Sequence, residues 1–188
     1  MKLNIKNMVC SRCKMAVTAA LENIGVHPLS VSLGEVDIAA GLSKEQHVAF
    51  DAALKALGFE LIDNKKSQAI EKIKTAVITL VHHSDNDSDA KINLSAFIAS
   101  KLHQDYNYLS NLFSAIEGTT IEKYYISQRI EKVKELLVYD ELTLSEIAHR
   151  LNYSSTAYLS NQFKKTTGFT PGYFKSLKEN KRRNIEEL

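Results

Sequence analysis

Two cysteines, Cys10 and Cys13, are the only thiols among 188 residues, and they stand three positions apart in Met8-Val9-Cys10-Ser11-Arg12-Cys13. Thiolates at that spacing can hold a soft ion between them, interconvert with a disulfide, or supply half of a tetrahedral zinc site. Haem attachment is disfavoured, because Lys14 follows Cys13 where a His would be needed. A helix N-terminus with Arg12 and Lys14 nearby favours the deprotonated form that metal binding and thiol exchange both use. The histidines do not complete a ligand set: His27, His47, His103 and His149 are unclustered, and His82-His83 at a helix end fit a role against its dipole. No grouping of nucleophile, base and orienting residue stands out, so an enzyme is not expected.

The second chemistry-bearing pattern is a repeat. Tyr108-Leu109-Ser110-Asn111-Leu112-Phe113 recurs fifty residues later as Tyr158-Leu159-Ser160-Asn161-Gln162-Phe163, and Gly118 recurs as Gly168. Upstream of each copy lies a short amphipathic segment, with Ile98, Ala99 and Leu102 before the first and Ile147, Ala148 and Leu151 before the second. A short helix, a polar turn and a second amphipathic helix form the helix-turn-helix pattern, here present twice. Charge follows the second copy. Residues 1–63 carry a net −1, whereas Arg150 to Arg183 holds eight basic residues against Glu179 alone, a block of +7 that points to a polyanionic partner.

The elements that position these residues differ between the two halves of the chain. Period-two alternation around Leu3 and Ile5, in Leu29–Leu33 and in Val36–Ile38 predicts strands, with a fourth at Phe59–Ile62. A helix is expected through Met15, Val17, Leu21 and Ile24, and another after a Ser43 cap with Val48, Ala52 and Leu57 toward the core. The order is βαββαβ, so the fold class is α+β: a ferredoxin-like domain over residues 1–63, with both helices on one face of an antiparallel sheet. A short polar linker, 64–67, then leads into an all-α double helix-turn-helix domain over 68–188. Its first helix carries Ile70, Ile73, Val77 and Leu80 and ends in a polar loop, Ser84 to Asp89. The eight tyrosines are expected mainly in core or interface positions.

Residues of about 68–178 resemble the DNA-binding domain of the AraC/XylS family of bacterial transcription regulators. The likeness rests on Ala99 and Leu102, both Tyr-Leu-Ser-Asn segments, Gly118, a long helix around Arg129–Leu137, and Ile147-Ala148 with Gly168-Phe169-Thr170-Pro171. It implies two helix-turn-helix units, joined by a rigid helix, that place two recognition helices in successive major-groove segments of double-stranded DNA. Leu109, Phe113, Leu159 and Phe163 must then be the buried stripes, which leaves Asn107, Ser110, Asn111 and Ser114, and Ala157, Ser160, Asn161 and Lys164, facing outward. Asn presents a donor and an acceptor side by side and can grip adenine in the major groove. Phosphate anchoring is expected from Arg150, Lys164, Lys165 and the basic tail, because residues 91–121 are neutral overall.

Met8-x-Cys10-x-x-Cys13 between first strand and first helix, with Gly25-Val26 and Leu57-Gly58-Phe59-Glu60 later, resembles the heavy-metal-associated domain of copper chaperones and transporting ATPases. That likeness implies Cys10 and Cys13 as ligands to Cu(I), with Ag(I) or Zn(II) as alternatives, Met8 packed beneath the loop and Phe59 shielding it. Asn7 stands where relatives often carry glycine. A reversible disulfide, a metal-free dimerisation module giving a homodimer, and a metallochaperone remain open beside the reading as a metal-responsive regulator. With no apolar run of about 18 residues and no export signal, a membrane partner is not expected and a cytoplasmic location is.

Overall fold

A computed structural model of the chain describes residues 1–62, 64–83, 93–139 and 141–177. The expected loop at Ser84–Asp89, Asp63, and the basic residues Lys178, Lys181, Arg182 and Arg183 lie outside that range. In the N-terminal part the element order is β1 (Lys2–Lys6), α1 (Ser11–Glu22), β2 (Pro28–Ser32), β3 (Glu35–Ile38), α2 (Lys44–Ala56) and β4 (Glu60–Leu61). Then follow α3 (Lys65–Ile78), a π-helical turn (Thr79–His83), α4 (Leu94–Leu102), α5 (Tyr106–Glu117), α6 (Ile121–Tyr139), α7 (Leu144–Arg150) and α8 (Thr156–Thr167). No helix among the described residues is long and apolar enough to cross a membrane.

The four strands make a small antiparallel sheet in the order β2-β3-β1-β4, with Leu3 opposite Val36 and Ile5 opposite Leu61. Alternation along β1 sends Leu3 and Ile5 into a core with Val17, Leu21, Val36, Ile38, Phe50 and Leu54. The apolar stripe of α2 differs from the expected one. Phe50 and Leu54 are fully buried, whereas Val48 is 70% and Leu57 50% exposed, and Ala52 also faces water. Both stripes have helical spacing, and the bulkier Phe/Leu pair takes the core because it removes more apolar surface from water. On α1, Val17, Ala20 and Leu21 are buried while Met15 stays exposed.

By contact density the chain groups into two compact units. The first takes Met1–Ile78 together with Ile98–Gly118, and so unites the sheet, α3 and α5. Residues expected as linker begin α3: Asn64 accepts from the Lys66 N–H at 2.8 Å, and the Gln68 side chain donates to Ile62 O at 2.9 Å. Helix α3 packs on β1 and on α5, burying Ile70, Ile73, Ala76 and Val77. Gly34 lets it come close, since a Cβ there would lie 3.0 Å from Thr75 Oγ1. Glu35 adds ion pairs to Lys2 at 2.7 Å and Lys72 at 3.8 Å.

The second unit takes Thr79–Phe97 and the chain from Thr119 onward. Its core joins Ile130, Val133, Leu136 and Leu137 of α6 to Ile147 and Ala148 of α7 and Leu159 and Phe163 of α8. Thr143 and Glu146 form a reciprocal capping box that starts α7, and Phe174 closes edge-on against Phe163 at 5.5 Å. Of the tyrosines, only Tyr153 is buried; Tyr108, Tyr139, Tyr158 and Tyr173 are more than half exposed. The phenol tolerates that exposure because its polar end stays hydrated.

Candidate functional site

The two repeated helices are built alike. Asp105 precedes α5 and accepts the Tyr108 N–H at 3.0 Å; Ser155 precedes α8 and accepts the Tyr158 N–H at 3.1 Å. Each helix ends on a glycine in the left-handed region, Gly118 at φ 66° and Gly168 at φ 83°, where a Cβ would be strained. Leu109 and Phe113 in one, and Leu159 and Phe163 in the other, are fully buried. With those stripes inward, Asn107 and Asn111 of α5 lie exposed and Ser110 and Ser114 half-buried. On α8, Ala157, Asn161, Lys164 and Lys165 are exposed and Ser160 half-buried; Arg150 is exposed in the last turn of α7. Helix α5 thus offers hydrogen-bonding side chains at i, i+3, i+4 and i+7, whereas α8 has Ala157 at the first of these places, Ser160, Asn161 and Lys164 at the others, and Lys165 beside them.

Sequence reasoning missed a cluster behind α8. Arg129 of α6 lays its guanidinium 3.8 Å from the ring centroid of Tyr153 and donates to the Leu151 carbonyl at 2.5 Å. The Tyr153 hydroxyl donates to Gln162 Oε1 of α8 at 2.8 Å. Burial pushes the Tyr153 phenol above its ordinary range, so it remains a donor. The available signal was a change of offset: Ala99 and Leu102 recur after 49 residues, but Tyr108 onward recurs after 50.

The thiol loop sits at the start of α1. Cys10 is the extended residue before the helix, and the Cys13 N–H donates to its carbonyl at 3.1 Å. The two sulfurs are 3.4 Å apart and partly exposed. Hydrogen bonding from the Cys13 backbone N–H, then the Cys13 side chain, holds the Cys10 thiol below the usual range, and Arg12 adds to this. Met8 is buried beneath the loop and Phe59 packs against the same core. Asn7 adopts φ 72°, the conformation a glycine would take there, and its side chain donates to Gly58 O at 3.0 Å. Among the described residues no group of three or more His, Cys, Asp or Glu is placed to hold a metal ion.

A family model described as a helix-turn-helix domain matches residues 98–176. An uncharacterised HTH-type transcriptional regulator of Bacillus subtilis, YtdP, is 30% identical over 108 residues, which is 57% of this chain and 14% of that protein. The uncharacterised HTH-type regulator encoded in the cgkA 5' region of Pseudoalteromonas carrageenovora is 29% identical over 115 residues, 60% of this chain and 68% of that protein. Among solved structures, the C-terminal domain of AraT, a response regulator from Geobacillus stearothermophilus, superposes with a TM-score of 0.51 at 26% identity, covering 61% of this chain and 88% of that one. The chain spans only a small part of the length of YtdP.

Proposed function

We propose that the chain is an AraC-type, sequence-specific regulator of transcription that binds double-stranded DNA through α5 and α8, a reading supported by the helix-turn-helix match over residues 98–176 and the likeness to the AraT C-terminal domain. The carrying observation is the duplicated polar face: two helices with matching caps, matching buried Leu/Phe stripes and an outward Asn at the same place, Asn111 and Asn161. Asn107, Ser110, Asn111, Ala157, Ser160 and Asn161 are the candidate base-reading residues. Arg150, Lys164 and Lys165 neutralise phosphates and supply most of the sequence-independent affinity. Such a protein works in the cytoplasm.

The N-terminal domain, in this reading, is a ferredoxin-like βαββαβ module of the heavy-metal-associated kind that senses a soft ion. Support comes from the donor set: two sulfurs 3.4 Å apart on one loop, one of them with a lowered thiol pKa, and a buried Met8 beneath. Two soft thiolates suit Cu(I), or Ag(I), better than Zn(II), which wants four ligands. Bound there, the ion would neutralise the loop's thiolates and fix Cys10 and Cys13 relative to the start of α1. The same sulfur spacing favours one second reading, a thiol pair that closes to a disulfide on exchange with a small-molecule disulfide.

Titrating the reduced full chain with Cu(I), Ag(I) and Zn(II), with and without DNA from upstream of its own coding sequence, tests both halves. Retardation of that DNA over scrambled DNA, modulated by Cu(I), is the expected result. Absence of any DNA preference together with transfer of Cu(I) to an acceptor would favour a metallochaperone instead. Operator binding that responds to a disulfide reagent but not to metal would favour the redox reading.

A further inference from the structure

The second helix-turn-helix turn is one residue longer than the first. Leu102 stands three positions before the Asp105 cap, and Leu151 four before the Ser155 cap. Both turns pass through the left-handed region, at His103 (φ 53°) and Asn152 (φ 56°), and both return an N–H to the preceding helix, Gln104 to Ala99 O at 3.3 Å and Tyr153 to Ala148 O at 2.9 Å. What the second turn adds is the Tyr153 side chain turned inward, 7% exposed. There the ring meets the Arg129 guanidinium at 3.8 Å on α6 and the Tyr158 ring at 6.0 Å on α8, and its hydroxyl reaches Gln162 Oε1 at 2.8 Å. Arg129 also donates to the Leu151 carbonyl that ends α7. At the corresponding places the first unit has Gln104, which has no ring, and Leu112, which has no acceptor.

Burial of Leu159 and Phe163 sets which face of α8 turns inward, but being non-directional it sets the rotation only coarsely. Hydrogen bonds have narrow distance and angle preferences and do fix it. The distinction matters at the outer face, where a side chain about 6 Å from the helix axis moves by about 1 Å for a 10° rotation. That is enough to break a bidentate base contact. A planar guanidinium stacks and donates at once, which an ammonium does not.

We propose that Arg129 is a positioning residue for the second recognition helix: through Leu151, Tyr153 and Gln162 it sets the rotation of α8 and thereby which base edges Asn161 meets. The inference rests on the DNA-reading role proposed above. Its test is binding-site selection from a randomised duplex pool with the full chain, R129K and Y153F, followed by affinities for the selected and a scrambled site and a melting curve for each protein. R129K should keep its scrambled-site affinity within about twofold yet lose about tenfold of the selected-to-scrambled ratio, at one half-site only. Y153F, which keeps the ring and loses one hydrogen bond, should lose less at the same positions. An unchanged selection profile overturns the inference, and so does an equal loss on both sites, which is the signature of a merely structural role. If R129K does not fold, Y153F decides alone by the same criteria. A full chain with no sequence preference overturns the DNA-reading proposal and this inference together, whereas a selective full chain with equally selective variants overturns the inference only.

Discussion

The Lys74 ammonium lies 2.8 Å from the Glu117 carboxylate and 3.6 Å from that of Glu71, tying α3 to the last turn of α5. Both partners are partly shielded, with side-chain exposures of 19% and 28%, so screening leaves the pair worth about 1 kcal/mol or less. A double-mutant cycle with Lys74→Ala and Glu117→Ala, read by urea unfolding, should give a coupling of about 0.5 to 1 kcal/mol that shrinks at high salt. Strict additivity of the two substitutions would mean that the contact does not join the helices energetically.

Asn7 supplies a backbone conformation and a bond together, at φ 72° with its side chain on Gly58 O. Asn7→Gly keeps the conformation and loses the bond, at a cost of about 1 kcal/mol. Asn7→Ala loses both, adding about 1 to 2 kcal/mol for a Cβ in the left-handed region. Urea midpoints should therefore fall in the order wild type, Gly, Ala; Ala at or above Gly would show that the loop relaxes freely.

Much of this was legible in the sequence because it repeats or alternates. Leu109, Phe113, Leu159 and Phe163 are buried as their spacing requires, and Leu3 and Ile5 line the sheet core. Where two apolar stripes share one helix the pattern is ambiguous, and on α2 Phe50 and Leu54 win over Val48 and Leu57. The change to polar texture at Asp63–Ser67 says nothing about where α3 packs, which depends on contacts with β1 and α5 from distant segments. Arg129 reads as one more charge on an amphipathic helix; its role exists only because Tyr153 arrives from 24 positions away.

His82, in the π-helical turn, hydrogen-bonds Gln128 at 3.2 Å and faces Lys132 and Glu135 of α6, with His83 beside it. Burial first, then Lys132 and His83, hold its pKa below the ordinary 6.5, against the raising effects of Gln128 and Glu135. Since the unfolded chain takes up this proton at higher pH than the folded one, stability from His82 is complete above 6.5 and declines as pH falls through that value toward the folded pKa. His82→Gln, which cannot titrate, should show a shallower acid-side loss than wild type between about pH 7.5 and 5.5 in parallel melting curves. Superimposable pH profiles would remove His82 from the acid response.

Lys164 and Lys165 lie exposed in the last turn of α8, where they meet phosphate in the proposed complex. Replacing both by Ala should weaken binding to all duplexes alike and flatten the salt slope by roughly one unit per lost contact. Asn161→Ala should instead relax the preference at one base pair, at about 1 to 3 kcal/mol, with little change in salt slope. A selection profile unchanged by Asn161→Ala would assign base reading elsewhere on the helix.

Coupling between the thiol loop and DNA follows thermodynamic rules whatever its route. Metal alters DNA affinity only if it binds the DNA-competent and incompetent states unequally; a tightly held ion indifferent to the two shifts nothing. The loop belongs to the same compact unit as α5, with α3 packed on both β1 and α5, so a change at the start of α1 has packed neighbours leading to the first recognition helix. Cu(I) should then change operator affinity by about 5- to 150-fold, and operator DNA should change Cu(I) affinity by the same factor. Cys10→Ser with Cys13→Ser should abolish both effects while the double variant still binds DNA at the metal-free level. The measurement is operator titration by fluorescence anisotropy of wild type and double variant, with and without Cu(I) under reducing conditions. Four coincident curves would make the N-terminal domain a passive module, and a metal effect that survives loss of both thiols would move the metal site away from Cys10 and Cys13.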